Sequence, residues 1–422
     1  MRLSTGAQAQ HCEPSPNSAG CRYRNVLLLA YYYPPQNTSG AARPARFARY
    51  FPASGYNAHV VSAGFGVRNG KPPERVYAVP GCTHFSPSIE RNSRIAHTIE
   101  RKLLPYQEEL SWVPFAFSQG ADIIRKIDVS AIISTSPPIA THLAALSLKR
   151  RFGLKWVADF RDPLLGNPFR NRKFARPYDV LLERLIFWHA DVIIANTEAV
   201  AEMWRKRYPR WHQKVRVLWN GFDPETILTP APIPRQSRKV FAHVGNIYGG
   251  RHPGVLLESL ERLFARHQLE RDSLLIRLIG PMDPANLQRL KAIAPTDCYF
   301  EVRPTTVSQA EARAITASSD YLLLLDINEQ NLGLQVPAKL FDYICVGRPI
   351  LALTARDSSV QHILSRSGVP FRCLYKDMQA GDFDREVLKF LELPSDSVHA
   401  NTWFWKTFDA AAQTAELAGY LS

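Results

Sequence analysis

Apolar residues along this chain come in short unbroken runs, each followed by a turn signal and then a stretch with helical spacing. NVLLLAYYY (Asn25 to Tyr33) ends at Pro34-Pro35 and reads as a strand buried on both faces. The same grammar gives strands at Ala58–Ala63, Ser130–Ser136, Leu154–Phe160, Ala190–Thr197 and Val215–Asn220. A second series runs through Lys239–Asn246, Ser273–Gly280, Asp320–Ile327 and Arg348–Thr354. Helical patterns lie between them, as in AARPARFARYF and GVLLESLERLFARH. Strands alternating with helices predict parallel sheets covered on both faces.

The two series are separated by LTPAPIPRQSRK (Leu228 to Lys239), which has three prolines and little periodicity and reads as a linker. The expected organisation is therefore α/β with two Rossmann-like domains facing a cleft. The divisions fall at 1–24 (a disordered tail), 25–230, 231–400 and 401–422, the last a single helix packing back on the first domain. Ligands of such sheets bind at the carboxyl ends of the strands.

Charge alters this picture more than composition does. A hydrophobic fraction of 45% is ordinary, but a net charge of +14 points to an anionic partner. Basic, aromatic-rich stretches gather in the first half: KRRFGLKW (Lys149 to Trp156), FRNRKFARPY (Phe169 to Tyr178) and WRKRYPRWHQK (Trp204 to Lys214). They suit an anionic membrane surface, although a solvated basic face would look the same. The first residues lack the apolar core of a signal peptide, and no run of 18 apolar residues occurs, so contact with a membrane is expected from its surface. The six cysteines form no CxxC pair, which argues against structural zinc and fits a reducing, cytoplasmic setting. Cys345 reads as a small buried hydrophobe.

Four places carry candidate chemistry. In VPAKLFDYICVGRPILAL (Val336 to Leu353) a helix starting near Pro337 puts Lys339 in its first turn and Asp342 on the same face. A cation there is electrostatically costly unless an anion shares the helix start. A solvated amphipathic helix would show the same residues. GNIYGGRHPG (Gly245 to Gly254) gives a glycine-rich strand-to-helix turn from which Arg251 can clamp a phosphate, or a plain surface loop. ADFRDPL (Ala158 to Leu164) places Asp159, Arg161 and Asp162 at a strand end, where an aspartate can orient a hydroxyl or simply hold a turn. Gly40 opens the helix after the first strand and allows close backbone approach. HExxH, GxSxG and DxD-like motifs are not evident, which argues against a metalloprotease, a serine hydrolase and a strictly metal-dependent transferase.

In this order the segments resemble the retaining glycosyltransferases of GT-B type, family 4 ("group 1"). The markers are YYPPQNTSGAARPARFARYF, ISTSPPIATHLAALSLKRRFGLKWVADFRDP, the ADVIIANTEA and VLWNGFD pair, VGNIYGGRHPGVLLESL and VPAKLFDYICVGRPIL. The resemblance implies an N-terminal acceptor domain, a C-terminal domain binding a nucleotide-sugar, and a last helix crossing back. It implies retention, no obligatory metal, and no cofactor beyond the nucleotide-sugar donor. It implies a lipid-linked or polysaccharide acceptor as partner, which the basic stretches would let the chain meet at an anionic membrane surface on the inner face, and no nucleic acid is expected.

By the same resemblance, Gly40 reaches the donor diphosphate, with Gly245 lining the donor site. Arg251 stands where the family usually has a phosphate-binding lysine, and Asn246 where it usually has an arginine; Lys339 supplies compensating charge. Asp342 takes the place of the glutamate that binds ribose hydroxyls. Leu334 replaces the glutamate often found against the donor sugar, and Arg161-Asp162 replaces His-Asp, so acceptor activation falls to Asp159 or Asp162. Loss of these groups leaves open an inactive nucleotide-sugar-binding module, or a nucleotide-sugar epimerase of the same shape.

Overall fold

A computed structural model describes residues 23–36, 38–63, 73–80, 108–167, 170, 173–233, 238–247, 251–293, 299–326 and 334–422. The expected tail, Cys12, Cys21, Cys82, Cys298, Gly249, Gly250 and parts of FRNRKFARPY and LTPAPIPRQSRK lie outside the described residues.

Two parallel sheets form, one from each half of the chain. The first holds β1 (Arg24–Ala30), β2 (Tyr56–Ala63), β3 (Val76–Val79), β4 (Val129–Ser136), β5 (Lys155–Phe160), β6 (Val192–Ala195) and β7 (Val215–Val217) in the order β3-β2-β1-β4-β5-β6-β7. The second holds β8 (Lys239–Val244), β9 (Leu274–Ile279), β10 (Phe300–Arg303), β11 (Tyr321–Leu325), β12 (Ile350–Leu353) and β13 (Phe371–Leu374) in the order β10-β9-β8-β11-β12-β13. In both sheets the order reverses beside the first strand, which opens a crevice at the strand ends. The central strands are buried on both faces, as their unbroken apolar runs require: Val26 to Ala30 and Leu322 to Leu324 are fully covered.

The described helices in the first half are α1 (Ser39–Tyr50), α2 (Val113–Lys126), α3 (Ala140–Phe152), α4 (Arg176–His189) and α5 (Glu198–Arg207). In the second half they are α6 (Gly254–Ala265), α7 (Pro284–Ile293), α8 (Gln309–Ala317), α9 (Lys339–Val346), α10 (Ser359–Ser367), α11 (Ala380–Leu391), α12 (Thr402–Phe408) and α13 (Ala410–Gly419).

The C-terminal segment does cross back, but as two helices rather than one. Asp409 leaves helical geometry (φ −67°, ψ 120°), and its carboxylate accepts from the N–H groups of Ala411 and Ala412, so it ends α12 and caps α13. Phe404 and Phe408 of α12 pack in the second half's core, while Leu417 and Ala418 of α13 pack under the first sheet. The crossing is tight: a Cβ on Gly221 would sit 2.0 Å from the Phe408 carbonyl oxygen.

The proline-rich linker is also firmer than its sequence suggests. Leu228 is buried, Ala231 N–H donates to Ala317 O at 2.9 Å, and Arg348 donates to Ala231 O at 2.9 Å.

Candidate functional site

Strand β5 delivers the acidic cluster of the first half. Asp159 closes the strand with no exposed surface, and both its oxygens are taken. Arg43 of α1 donates from Nη2 at 2.8 Å and from Nε at 3.0 and 3.2 Å, and Thr135 Oγ1 donates at 2.7 Å. Arg43 also donates to the carbonyls of Leu218 and Trp219. Asp159 is therefore the buried anchor of α1 and not a group facing the cleft, which corrects its reading as a candidate catalytic residue.

Asp162 is placed differently. It is only partly exposed, and Gln335 Nε2, from the opposite half, donates to its Oδ1 at 2.7 Å. Burial raises its pKa to about 6, against the opposing pull of Arg161, the Gln335 hydrogen bond and Arg251. Arg161 is held by the Ser136 carbonyl, which accepts from its Nε at 3.0 Å, and by the Pro137 carbonyl. Its guanidinium lies under Gly40: a Cβ there would meet Arg161 Nη1 at 2.5 Å. A larger residue here would push the Arg161 guanidinium aside.

From the second half, β8 is followed by Gly245 (φ +136°), where a Cβ would meet Lys339 Nζ at 2.5 Å. The lysine is the first residue of α9, and its ammonium is aimed at the β8 turn rather than at solvent. Its orientation comes from His243, a residue the sequence reading missed. His243 is buried, and its Nδ1 faces Leu323 O at 2.9 Å, so Nδ1 carries the proton. Nε2 is then a lone-pair acceptor for Lys339 Nζ at 3.0 Å. Burial, with the nearby Lys339 and Arg251 cations, holds His243 well below its ordinary pKa and therefore neutral. Burial, reinforced by Arg251, lowers Lys339 to about 7. Two cations thus approach each other closely enough to weaken one another, an arrangement that an anionic ligand relieves.

Asp342 lies one turn along α9. Burial raises its pKa, and Arg46 of α1 and Arg313 of α8 oppose that rise. Arg46 is the second functional neighbour that the sequence reading missed; it also donates to Gly221 O. The signal was present, because Arg43, Arg46 and Arg49 recur every third residue along one helix. Asn246 is exposed and makes none of these contacts. Leu334 turns away from solvent onto the first half's core beside Met203, and its carbonyl accepts from Thr197 Oγ1 at 3.1 Å.

The candidate residues therefore form one connected constellation across the cleft. Gly40 covers Arg161, Arg161 neighbours Asp162, Asp162 neighbours Arg251, Arg251 neighbours Lys339, and Lys339 fills the space over Gly245. Asp342 joins through Arg46. Such a site offers positive charge for a diphosphate, a carboxylate for hydroxyls, and a second carboxylate on the facing wall.

Residues 43–226 match the model of Glycosyltransferase Family 4. No curated protein matches the chain in sequence. Among solved structures, the chain is similar to an alpha,alpha-trehalose-phosphate synthase (UDP-forming) from Burkholderia xenovorans, with TM-score 0.64, 10% identity, and 94% and 99% of the two chains covered. It is similar to sucrose-phosphate synthase from Thermosynechococcus elongatus (TM-score 0.59, 11% identity, 94% of each chain covered). It is also similar to the lipopolysaccharide outer core galactosyltransferase WaaB (TM-score 0.58, 12% identity, 94% and 99% covered). The chain has the two-domain GT-B glycosyltransferase fold, and its N-terminal half carries the family 4 match.

Proposed function

We propose that this GT-B chain is a retaining glycosyltransferase that moves a hexosyl-type sugar from a nucleoside-diphosphate sugar to an acceptor hydroxyl. The observation that carries the reading is Lys339 lying over Gly245, with Arg251 near enough to act on both Lys339 and the Asp162 carboxylate. The donor diphosphate lies against the two cations and the β8 turn, and Asp342 receives ribose hydroxyls. As the bond from the anomeric carbon to the phosphate oxygen breaks, Arg251 and Lys339 stabilise the charge that grows on the leaving group. They supply that charge without an obligatory metal. The acceptor oxygen attacks from the same face, its proton passing to the Asp162 carboxylate, so configuration is retained.

The acceptor is a lipid-linked sugar or a growing cell-surface polysaccharide met at the inner face of an anionic membrane. The net charge of +14 supports this, as does the printed description of WaaB, which acts on lipopolysaccharide. Among the described residues no helix is long and apolar enough to cross a membrane.

The test begins with nucleotide-sugars screened by thermal shift, since a true donor raises the unfolding midpoint with its affinity. The stabilising donor is then incubated with lipid-linked acceptors, and products are read by mass spectrometry and anomeric NMR. Transfer with retention is expected. A donor that is bound and returned only as its epimer would replace transfer by epimerisation. Binding with no product would leave a binding module.

A further inference from the structure

Helix α4 buries Leu182, Ile186 and Phe187 in the usual way but departs from the rule for a surface helix in its charges and its outer face. Its acidic residues face inward: Asp179 and Glu183 are 2% and 0% exposed. Asp179 pairs with Arg170, while Glu183 accepts from Arg207 Nη1 at 2.9 Å, from Tyr208 Oη at 3.0 Å and from the Leu165 N–H at 3.1 Å. Besides Leu182, Ile186 and Phe187, which pack into the first half's core, the helix carries large apolar residues that face outward. Leu181 is 65% and Trp188 66% exposed, and Phe174, in the 3₁₀ turn leading into the helix, is 74% exposed. These are three of the six exposed large hydrophobic residues among the described part of the chain, and seven-residue spacing puts them on one stripe. The stripe spans roughly 21 Å.

The charges around the stripe are mostly positive, with the exposed Asp191 just past the helix paired to Lys149. Arg184 is exposed one turn from both Leu181 and Trp188, and Lys173 and Arg176 are exposed beside Phe174. Lys214 closes the far end by donating to the carbonyls of Phe187, Trp188 and Ala190, and Lys149 and Arg150 lie near His189. Each acid in the helix is neutralised inside, so the outer face carries only cations and apolar groups. An apolar stripe with Trp and Phe and a mainly basic rim is the composition that lies in the plane of an anionic bilayer.

We infer that the outer face of α4, through Phe174, Leu181 and Trp188, is a docking surface for an anionic lipid bilayer. The inference rests on the proposed membrane-borne acceptor and gives it a place. The segment that follows β5 carries Asp162 and leads directly into α4, so the Phe174 end of the stripe belongs to the cleft side of the domain.

The test is flotation of the full chain with vesicles of mixed phosphatidylglycerol and phosphatidylcholine, and with phosphatidylcholine alone. The wild-type chain is expected to float only with the anionic vesicles. The double variant Leu181→Ser/Trp188→Ser should bind them at least about tenfold more weakly. Arg184→Gln should lose roughly fivefold. Both should keep the wild-type unfolding midpoint, because an exposed stripe contributes nothing to the core. If the wild type does not float, the docking surface and the membrane-borne acceptor both fail. If the wild type and the double variant float equally, α4 is wrong while the acceptor reading stands. A drop of several degrees in the variant's midpoint, or a dimer seen by light scattering that the variant abolishes, would show that the stripe is covered by protein and overturn the inference.

Discussion

Replacing Lys339 by Met removes one of the two cations while keeping the length of the apolar stem. Free Lys339 has a pKa of about 7, because burial and Arg251 oppose its charge. At pH 8 it is therefore about one-tenth protonated, and at pH 6 about nine-tenths. A bound diphosphate favours the charged form and moves the pKa back up. Donor binding should then take up about 0.9 proton at pH 8 and about 0.1 at pH 6. The sign follows directly: affinity is fullest below pH 7 and falls as pH rises through 7, approaching tenfold per unit. The assay is calorimetric titration with the most stabilising nucleoside diphosphate in buffers of different ionisation enthalpy. At pH 8 the diphosphate is itself fully ionised, so the uptake reports the protein. The Met variant should bind more weakly and lose the uptake at pH 8. An uptake that persisted in the variant, or affinity unchanged between pH 6 and 8 in the wild type, would refute the placement of the diphosphate at Lys339.

The remaining predictions separate site from scaffold. Arg43→Met leaves Asp159 buried with only Thr135 as partner, so unfolding in urea should show a loss of about 3–5 kcal/mol; a neutral result would reopen a cleft role for Asp159. Gly245→Ala puts a Cβ where Lys339 Nζ lies and strains a φ of +136°. Donor affinity should fall at least about tenfold while far-UV circular dichroism is preserved. Asp162 is neutral below its pKa of about 6, so transfer should rise with pH through 6. Asp162→Asn should abolish that limb and most turnover but leave donor binding near wild type; the same limb in the variant would remove Asp162 from the chemistry.

The sequence announced the interior of each sheet better than its edges. The strands it did not reveal, β3, β10 and β13, all lie at sheet edges. Each is four residues long and mostly half-exposed, so none carries an apolar run to be seen. Within the site, Gly40, Gly245, Arg251, Lys339, Asp342 and Asp162 could be picked out, because turns and strand ends have a local grammar. Asp159 could not be sorted from Asp162 in the same way, since what separates them is Arg43, which reaches β5 from 116 residues away. His243 was masked by its strand. It sits in a buried run, where a polar side chain reads as an exception until its two partners, Leu323 O and Lys339 Nζ, are in place. Its relation to Gly245, two residues on and therefore on the same strand face, was the available hint. Asn246, where the family resemblance predicts a phosphate ligand, is exposed and makes none of the contacts that tie Lys339 to His243.

The most direct test of the account is donor binding to the wild-type chain and to Arg251→Ala/Lys339→Met by calorimetry, followed by transfer from that donor. The account predicts tight binding and retained-configuration product in the wild type, with both lost in the double variant. Equal donor affinity in the two proteins would contradict it, because no diphosphate could then lie between these cations.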